Sequence, residues 1–514
     1  MKRTTLLFLL PVLTLFLILT GFYYLQTSTT TPKTIGDFTN SLDIGEVSNP
    51  GNAHYHPSNQ TYTIDGSGHG VGGTSDQFHY LWNSIQGDFI LRAELHHDLT
   101  DAGQPFQFGW SVRNTITPGS EMISLSVSSD GETAITFRAE RSDEAITIVS
   151  ENTFPDVIQL ERVDGIFKVR TARMGEPFTV MAGPEVNLNN QVIAGLFVNS
   201  EGSDDHVSVS FRNVRFVKPF PENEQRYQRY LGSRMEILDV FTGMREVVFE
   251  SEHSVQAPNW TVDGEKLIYN SNGYLYSYEV NTGHISYLNT GFATNNNNDH
   301  VLTFDGEQIA ISHHVPEDNN QSTIFMLPIE GSDNPRQVTG SGLGNAYLHG
   351  VSPDNQKVIF TGWRNDKYDL YAADVNTMEE TQLTDTPFLD DGSEYSPDGE
   401  YIYFNSNRTG TMQLWRMKPD GSEQTQLTFD ENFNDWFPHI SPDGEWILFI
   451  SYGTDVASGD HPYYKHVTLR LMPVSGGEPE IVAYLYGGQG TINVPSWSPD
   501  SRSVAFVSNS GRFY

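Results

Sequence analysis

The sequence predicts an all-β protein in which a β-sandwich precedes a six-bladed β-propeller. Two observations predict the propeller and one predicts the sandwich. A short phrase recurs six times in the second half, the repeat array is incomplete at both ends, and the first half contains short alternating strands without any repeat. A repeat of about 40–50 residues made of short strands is typical of a propeller blade. Each phrase is an apolar residue followed by Ser/Thr-Pro-Asp-Gly-Glu or a near variant, with its aspartate at Asp263, Asp305, Asp354, Asp398, Asp443 and Asp500.

The recurring phrase predicts a tight turn rather than a chemical site. Proline presets φ, glycine accepts a positive φ, and aspartate bonds its own backbone two residues on. We therefore interpret the repeated aspartates as turn formers between the first and second strand of each blade.

The two ends of the repeat array predict how the ring closes. The last repeat provides a strand at 503–508 and then lacks its outer strands. Strands at 235–241 and 245–250 precede the first full repeat. We expect these strands to complete the sixth blade, because a closed ring leaves no exposed sheet edge.

The first half divides into three parts. Residues 1–32 contain Lys2 and Arg3, an apolar run at 6–25 predicted to be helical, and a Thr-rich tether. This pattern fits an uncleaved inner-membrane anchor or a signal peptide, and either places the body outside the cytoplasm, in the periplasm or at the cell surface. Residues 36–218 form the predicted sandwich and 219–230 the linker to a propeller at 231–514. The predicted sandwich strands are 61–64, 78–82, 89–95, 106–112, 123–127, 134–139, 157–162, 167–171, 192–198 and 207–217.

Composition excludes several functions. The chain has 65 acidic and 30 basic residues and a formal charge of −35, which argues against nucleic acid as a partner because nucleic acid is itself a polyanion. It has no cysteine, so disulfides, thiol catalysis and Cys-ligated zinc are excluded. Gly68–Gly73 matches G-x-G-x-x-G but opens no helix, so we interpret it as a strand connection.

Loop lengths predict which face of the propeller carries function. In an antiparallel A-B-C-D blade, the D–A and B–C loops share one face, and here they are long and polar, whereas the A–B and C–D turns are short. Binding residues concentrate on such loops. Two histidines, His300 and His349, lie five residues before the repeat aspartate, and Glu394 and His439 lie four before it.

These offsets predict that the four side chains meet at the channel mouth. His300, His349 and His439 then become candidate ligands for one divalent metal ion, and His300, His349, Glu394 and Asp391 become candidate acids and bases. A non-catalytic binding mouth and a merely solvated channel remain alternatives. Candidate substrate-binding residues on the same face are His313, His314, Trp363, Arg364, Arg408, Asp435, Trp436, Gln489 and Asn493, with Trp436 suited to stacking on a ligand.

Several phrases resemble a known family. Ala257–Trp260, Thr290–His300, Thr409–Gln413 and Gly488–Pro495 are similar to TolB-like six-bladed propellers of a periplasmic branch often labelled biopolymer transporter. Phe78–Tyr80 and Gly87–Phe89 resemble the concanavalin-like lectin/glucanase jelly roll that precedes the propeller there. A weaker similarity is to oligogalacturonate lyases, propellers with a His-rich metal site.

The resemblance implies a membrane-tethered envelope protein that binds a carbohydrate or an envelope protein at the loop-rich face. The alternative is a metal-dependent carbohydrate lyase or hydrolase that uses the His/Asp cluster.

Overall fold

The computed structural model describes residues 34–95, 104–203, 205–221, 224, 229–511 and 513. The predicted apolar helix and anchor at 6–25 lie outside these residues. Within the described part of the chain there is no α-helix, and no helix there is long and apolar enough to cross a membrane. A 3-10 turn spans Pro316–Asp318. The protein is therefore all-β where it is described, as the sequence predicts.

The N-terminal half forms two seven-stranded antiparallel sheets. Their strands are β1 (Asn40–Ile44), β2 (Asn52–His56), β3 (Thr61–Gly66), β4 (Phe78–Gln86), β5 (Phe89–Leu95), β6 (Gln107–Arg113), β7 (Met122–Ser128), β8 (Thr133–Arg138), β9 (Ile146–Val149), β10 (Val157–Val163), β11 (Ile166–Ala172), β12 (Thr179–Ala182), β13 (Gln191–Asn199) and β14 (Val207–Val217). One sheet has the order β1-β4-β13-β6-β7-β8-β9 and the other β12-β11-β10-β5-β14-β3-β2. Inward-facing residues of both sheets form one hydrophobic core, which includes Trp110, Leu125, Leu160 and Phe211.

All ten strands predicted in this half are present. The four additional strands, β1, β2, β9 and β12, are the edges of the two sheets. The concanavalin-like assignment of these sheets stays a prediction.

The glycine-rich connection passes from one sheet to the other. It joins β3 to β4, and its last acidic residue, Asp76, is fully buried between two fully buried arginines. Arg113 Nη1 donates to Asp76 Oδ2 over 2.6 Å, and Arg138 Nη2 donates to Oδ1 over 2.8 Å. Arg138 also donates to the carbonyl of Gly73. The strand-connection interpretation of Gly68–Gly73 is confirmed.

The second half is a six-bladed propeller. Its strands are β15 (Gly232–Asp239), β16 (Arg245–Ser251), β17 (Gln256–Trp260), β18 (Lys266–Ser271), β19 (Tyr274–Glu279), β20 (Ile285–Leu288), β21 (Asn296–Leu302), β22 (Gln308–Val315), β23 (Gln321–Pro328), β24 (Arg336–Gln337), β25 (Ala346–Val351), β26 (Lys357–Arg364), β27 (Lys367–Asp374), β28 (Glu380–Gln382), β29 (Asp390–Tyr395), β30 (Ile402–Ser406), β31 (Gln413–Met417), β32 (Thr425–Gln426), β33 (Phe433–Ile440), β34 (Trp446–Gly453), β35 (Lys465–Pro473), β36 (Glu480–Gly487) and β37 (Ser503–Ser510). Five blades are consecutive four-stranded sheets from β17 to β36.

The sixth blade joins the two ends of the repeat array. Its strand order is β16-β15-β37, and an isolated bridge between Trp497 and Val504 adds the innermost strand. β15 pairs with β37 in continuous register from Gly232 opposite Ser510 to Asp239 opposite Ser503. The predicted closure through the strands before the first repeat is confirmed.

The repeated phrase forms the same turn in each blade. In the fourth blade, Ser396 Oγ donates to Asp398 Oδ1 over 2.6 Å and accepts from the backbone N of Tyr401 over 3.0 Å. Asp398 Oδ1 also accepts from the N of Glu400 over 2.9 Å, and these hydrogen bonds lower the pKa of Asp398. The repeat aspartates are thus turn formers, as predicted.

Replacing the buried hydroxyl of this turn should cost stability. We expect Ser396→Ala to lower the free energy of unfolding by about 1–2 kcal/mol, because Ser396 is buried and two hydrogen bonds lose their partner. Ser422→Ala is the control, since Ser422 Oγ makes the similar bond to Asp420 at the exposed surface, and it should change stability by less than about 0.5 kcal/mol. Urea unfolding of both variants measures the difference. Equal losses of stability in the two variants would show that burial of the turn hydroxyl does not increase its contribution.

Polar contacts join the N-terminal sheets to the propeller. Arg215 of β14 donates to Glu236 of β15 over 2.7 Å, and Glu161 of β10 pairs with His466 of β35 over 3.0 Å. Tyr484 of β36 donates its hydroxyl to the carbonyl of Glu176 over 2.6 Å. The sheet that contains β10 and β14 therefore lies against the fifth and sixth blades.

Candidate functional site

A cavity of about 680 Å³ opens on the face that carries the D–A and B–C loops. Its polar lining comes from many blades and includes Gln256, Asn270, Asn296, Asn297, Asn298, Asp299, His314, His349, Thr361, Asp391, His461, Gln489 and Asn493. Aromatic rings add to the wall at Tyr230, Tyr347, Tyr368, Phe437 and Tyr463. A second cavity of about 280 Å³ opens at the other end of the channel, where the turns are short, and its lining is largely apolar, with Trp260, Phe304 and Trp497.

β-Bulges in the innermost strands decide which side chains reach the polar cavity. The register of β17, β21, β25, β29 and β33 against the next strand shifts once in each blade. A bulge leaves residues unpaired and re-aims their side chains. Asp299, His349 and Phe437 lie within these shifts and line the cavity. Phe437 adopts a positive φ of 56°, which is uncommon for a residue with a side chain.

An Asp–His pair lies at the centre of the cavity wall. His349 Nε2 lies 3.0 Å from Asp391 Oδ1, and that oxygen also accepts from Thr361 Oγ1 over 2.5 Å and from the N of Gly392 over 2.8 Å. Burial alone would raise the pKa of Asp391, but the hydrogen bond and charge of His349 lower it to about 2. Burial opposes protonation of His349, yet Asp391 and Asp299 together raise its pKa. Each member of the pair therefore favours the charged form of the other.

The pKa of Asp299 is shifted in the opposite direction to that of Asp391. It is 4% exposed, and burial raises its pKa to about 6, while the charge of His349 offsets part of that rise. Asn297 Nδ2 donates to Asp299 Oδ2 over 2.7 Å. Two carboxyl groups in one cavity thus have pKa values displaced to opposite sides of the usual range, a pattern found where one acid and one base are needed.

A histidine from the insertion between β34 and β35 covers this cluster. His461 Nδ1 lies 2.5 Å from Gln489 Oε1, and its Nε2 lies 3.9 Å from Asp391 Oδ2. Its ring packs edge-on against Trp436, with centroids 4.4 Å apart. His461 is not among the site residues predicted from the sequence, because the repeat gives no offset for a residue outside the four strands.

The predicted grouping of His300, His349 and His439 does not occur. His300 is fully buried with Nε2 3.1 Å from the carbonyl of Ile268, and burial lowers its pKa to about 4. His439 Nδ1 lies 2.6 Å from Glu394 Oε2, and its Nε2 contacts the carbonyl of Ile492. Glu394 lines the apolar cavity at the far end of the channel. Because His300 and His439 follow their bulges while His349 lies inside one, equal sequence offsets do not give equal positions.

These residues also do not fit a resident metal ion. Each nitrogen of His439 has a polar partner within the fold, and His300 faces a backbone carbonyl. In the residues that the structure describes, no three His, Asp or Glu side chains are grouped so that they could hold a metal ion. The described residues therefore provide no set of ligands for the predicted divalent ion.

Several predicted rim residues serve the fold instead. Trp436 is fully buried in a hydrophobic cluster, so it is not available to stack on a ligand, because the bulge turns it into the core. The remaining inward-turned or paired side chains are Asp435 with Ser451, Arg408 with Asp390, Arg364 with Glu380, and His313, which accepts from the N of Asn295.

Other predicted residues do reach the cavity. His314, His349, Asp391, Gln489 and Asn493 line it. Trp363 is 38% exposed on the same face, with its ring centroid 4.7 Å from that of Tyr368.

Sequence reasoning missed Asp299, Tyr347, Tyr368 and Phe437 as site residues. A usable signal was present, because Pro258, Gly350, Gly392 and Pro438 interrupt innermost strands. Proline and glycine inside a strand mark bulges, and the cavity-lining residues His349, Asp391 and Phe437 directly precede Gly350, Gly392 and Pro438.

Comparisons with known proteins agree with the propeller. Residues 305–460 match the family model described as the TolB beta propeller domain. An uncharacterized protein of Agrobacterium fabrum is 43% identical over 279 residues, which covers 54% of this chain and 92% of that protein. A solved structure from Agrobacterium tumefaciens, provisionally named TolB, shares 41% identity with a TM-score of 0.52, covering 55% of this chain and all of that one.

More distant relatives carry a Tol-system name. The Tol-Pal system protein TolB of Francisella tularensis is 24% identical over 283 residues, and the match covers 53% of this chain and 61% of the relative. The match to the Agrobacterium fabrum protein is both closer and nearly complete. With its six blades and the matching family model, the chain belongs to the TolB-like β-propeller family.

Proposed function

We propose that this protein is an exported envelope protein that binds a carbohydrate in the polar cavity on its loop-rich face. The observation that carries the proposal is the shape and chemistry of that cavity. Its volume of about 680 Å³ is in the range of sites that enclose a small ligand or a chain end. A flat protein interface has no such depth, so a glycan is favoured over an envelope protein as the occupant.

The lining suits a polyhydroxylated ligand. Amides at Asn270, Asn297 and Gln489 both donate and accept hydrogen bonds. Rings at Tyr347 and Tyr368 offer apolar faces beside them. A sugar ring presents the matching combination of hydroxyl edges and C–H faces, so each surface of the ligand finds a partner in the wall.

Export and tethering rest on the N-terminal sequence. Lys2 and Arg3 followed by the apolar run at 6–25 support export to the periplasm or cell surface with an inner-membrane anchor. The resemblance of residues 36–217 to concanavalin-like modules supports the same ligand class. Fractionation of cells that express the tagged protein tests this part: recovery in the cytoplasmic fraction would reject it.

Binding is tested by titrating the full chain with oligosaccharides in a calorimeter. We expect Asp391→Asn to weaken binding at least tenfold, about 1.4 kcal/mol, because the amide keeps an accepting oxygen but removes the negative charge that pairs with His349 in the cavity wall. Tyr368→Ala should weaken binding to a similar degree by removing a ring face.

The matched control is Glu307→Gln, which removes one charge from an exposed residue on the short-turn face. It should leave binding unchanged. Thermal melting confirms that each variant is folded. Unaltered affinity in both cavity variants would show that the ligand binds elsewhere.

A second candidate function is acid–base catalysis on the bound sugar. Asp299 with a pKa of about 6 and Asp391 with a pKa of about 2 would supply a proton donor and a charged base at the same pH. Release of new reducing ends from the bound oligosaccharides, abolished by Asp299→Asn, would support this activity. A metal assay on the purified protein checks the predicted divalent ion separately.

A further inference from the structure

The described lining of the polar cavity combines two carboxyl groups with three histidines, His314, His349 and His461. Its described lining contains the carboxyl groups of Asp299 and Asp391 but no lysine or arginine. The imidazole of His349 is already paired with Asp391 at 3.0 Å. The whole chain carries a formal charge of −35. The surroundings therefore favour a ligand that brings positive charge and disfavour one that brings negative charge.

Asp299 is the group that such a charge would meet. Its side chain is 4% exposed, and the hydrogen-bond partner of its Oδ2 is the neutral amide of Asn297. A buried carboxylate is costly unless it is paired or hydrogen-bonded, and burial is the main cause of its raised pKa. A cationic group of a ligand would offset that cost by pairing with the carboxylate of Asp299. The protein itself offers this carboxylate only amides and His349, which is already paired with Asp391.

An aromatic wall borders the same carboxyl groups. The rings of Tyr347 and Tyr368 lie 6.2 Å apart, and Trp363 continues the wall at 4.7 Å from Tyr368. Burial and the neighbouring Tyr368 raise the pKa of Tyr347, and the charges of Asp299 and Asp391 add to that rise. Aromatic faces attract ammonium groups as well as sugar C–H faces.

We propose that the cavity selects a saccharide unit that bears a free amine, in preference to its N-acetylated or uronic-acid counterpart, with Asp299 as the residue that recognises the ammonium group. This inference rests on the proposed function, because it assigns the ligand class of the same cavity. The ammonium group donates to Asp299 Oδ atoms while the ring lies against the tyrosines. A uronate would place a third carboxylate beside Asp299 and Asp391, and the described lining has no arginine or lysine to pair it.

The test compares three probes of equal length on the unmodified full chain at pH 7. They are the tetramer of glucosamine, the tetramer of N-acetylglucosamine and tetragalacturonate. We expect the amine probe to bind about tenfold more tightly than the acetylated one, about 1.4 kcal/mol, and the uronate to bind more weakly than both.

The Asp299→Asn variant distinguishes recognition of the amine by Asp299 from the general attraction of a cation to an acidic protein. The variant should lose the preference for the amine probe while its affinity for the acetylated probe changes little. Glu307→Gln removes the same unit of charge from the opposite face and should keep the preference. The comparison of probes on the unmodified protein remains decisive if Asp299→Asn does not fold.

The outcomes distinguish this inference from the proposed function. Equal affinity for the amine and acetylated probes, or an equal loss of preference in Glu307→Gln, would overturn amine recognition and leave sugar binding in place. No binding of any probe would overturn both. Displacement of the amine probe by micromolar calcium chloride would overturn the inference in favour of a metal ion at Asp299.

Discussion

Removal of residues 233–252 is expected to abolish cooperative unfolding of the propeller. This segment contains β15 and β16, and β15 supplies the continuous pairing with β37 that closes the ring. Without it, β37 becomes an exposed edge that can pair with other chains. Met235, which packs with Tyr269 and Ala505 across the sixth and first blades, is lost as well. We expect aggregation, or a broad transition in differential scanning calorimetry.

The geometry provides a control for this deletion. Gly232 lies opposite Ser510, and Ser233 lies opposite Ser251, so both cuts bring neighbouring chain ends together. The excised hairpin can therefore be appended after residue 514 through a short flexible linker. This permuted chain should regain a single cooperative transition, because the same strands complete the same blade. A deletion variant that melts like its parent would refute closure as the source of stability.

Glu236→Ala is expected to cause the largest loss of stability among single substitutions considered. Glu236 is fully buried and accepts from Arg215 Nη2 over 2.7 Å, from Arg245 Nε over 2.6 Å and from Ser508. Its removal leaves two buried guanidinium groups without their counter-ion, which costs about 3–5 kcal/mol. Urea unfolding followed by tryptophan fluorescence measures this loss.

Glu250→Ala is the matched control. Glu250 also pairs with an arginine, Arg234 at 2.8 Å, but its side chain is 63% exposed. An exposed pair contributes about 0–1 kcal/mol. Equal effects of the two substitutions would show that burial of the Glu236 network adds nothing.

The same carboxylate predicts a dependence of stability on pH. Burial would raise its pKa, but Arg215 and Arg245 lower it well below the ordinary value of 4.5. A group with a lowered pKa in the folded state stabilises fully above its unfolded pKa and loses that contribution as the pH falls below it. The parent should therefore lose stability on acidification below about pH 4.5 more steeply than Glu236→Ala.

The sequence predicted strand positions well wherever a strand has a buried face. Interior strands such as β6 and β7 alternate between large apolar residues and small or polar ones because one face meets the core. The four unpredicted strands are sheet edges, and β9 is exposed at all four residues. An edge strand is held by backbone pairing on one side, and backbone pairing leaves little trace in side-chain pattern.

The site was harder to predict because counting residues assumes regular strands. Each of five innermost strands contains one register shift. Four of the shifts insert one residue, which exchanges the two faces of a strand, and the shift in β21 inserts two. His349 was placed correctly at the cavity, whereas His300 and His439 turned out to be internal hydrogen-bonding groups. Asp299, next to His300, lines the cavity at the position that counting residues predicted for His300.

Closure of the ring also determines when the propeller can fold. Gly232 and Asn509, which meet in the sixth blade, are 277 residues apart in the chain. During synthesis, β15 can pair early with β16, but its other edge has no partner until the five other blades have been made and β37 follows. Contacts between such distant segments form slowly, since the entropy of loop closure is lost before they form. The five consecutive blades can assemble from local hairpins. The unpaired strand edges of the sixth blade therefore remain exposed for longest and can pair with the wrong strands. Holdase chaperones should protect the chain most at this blade.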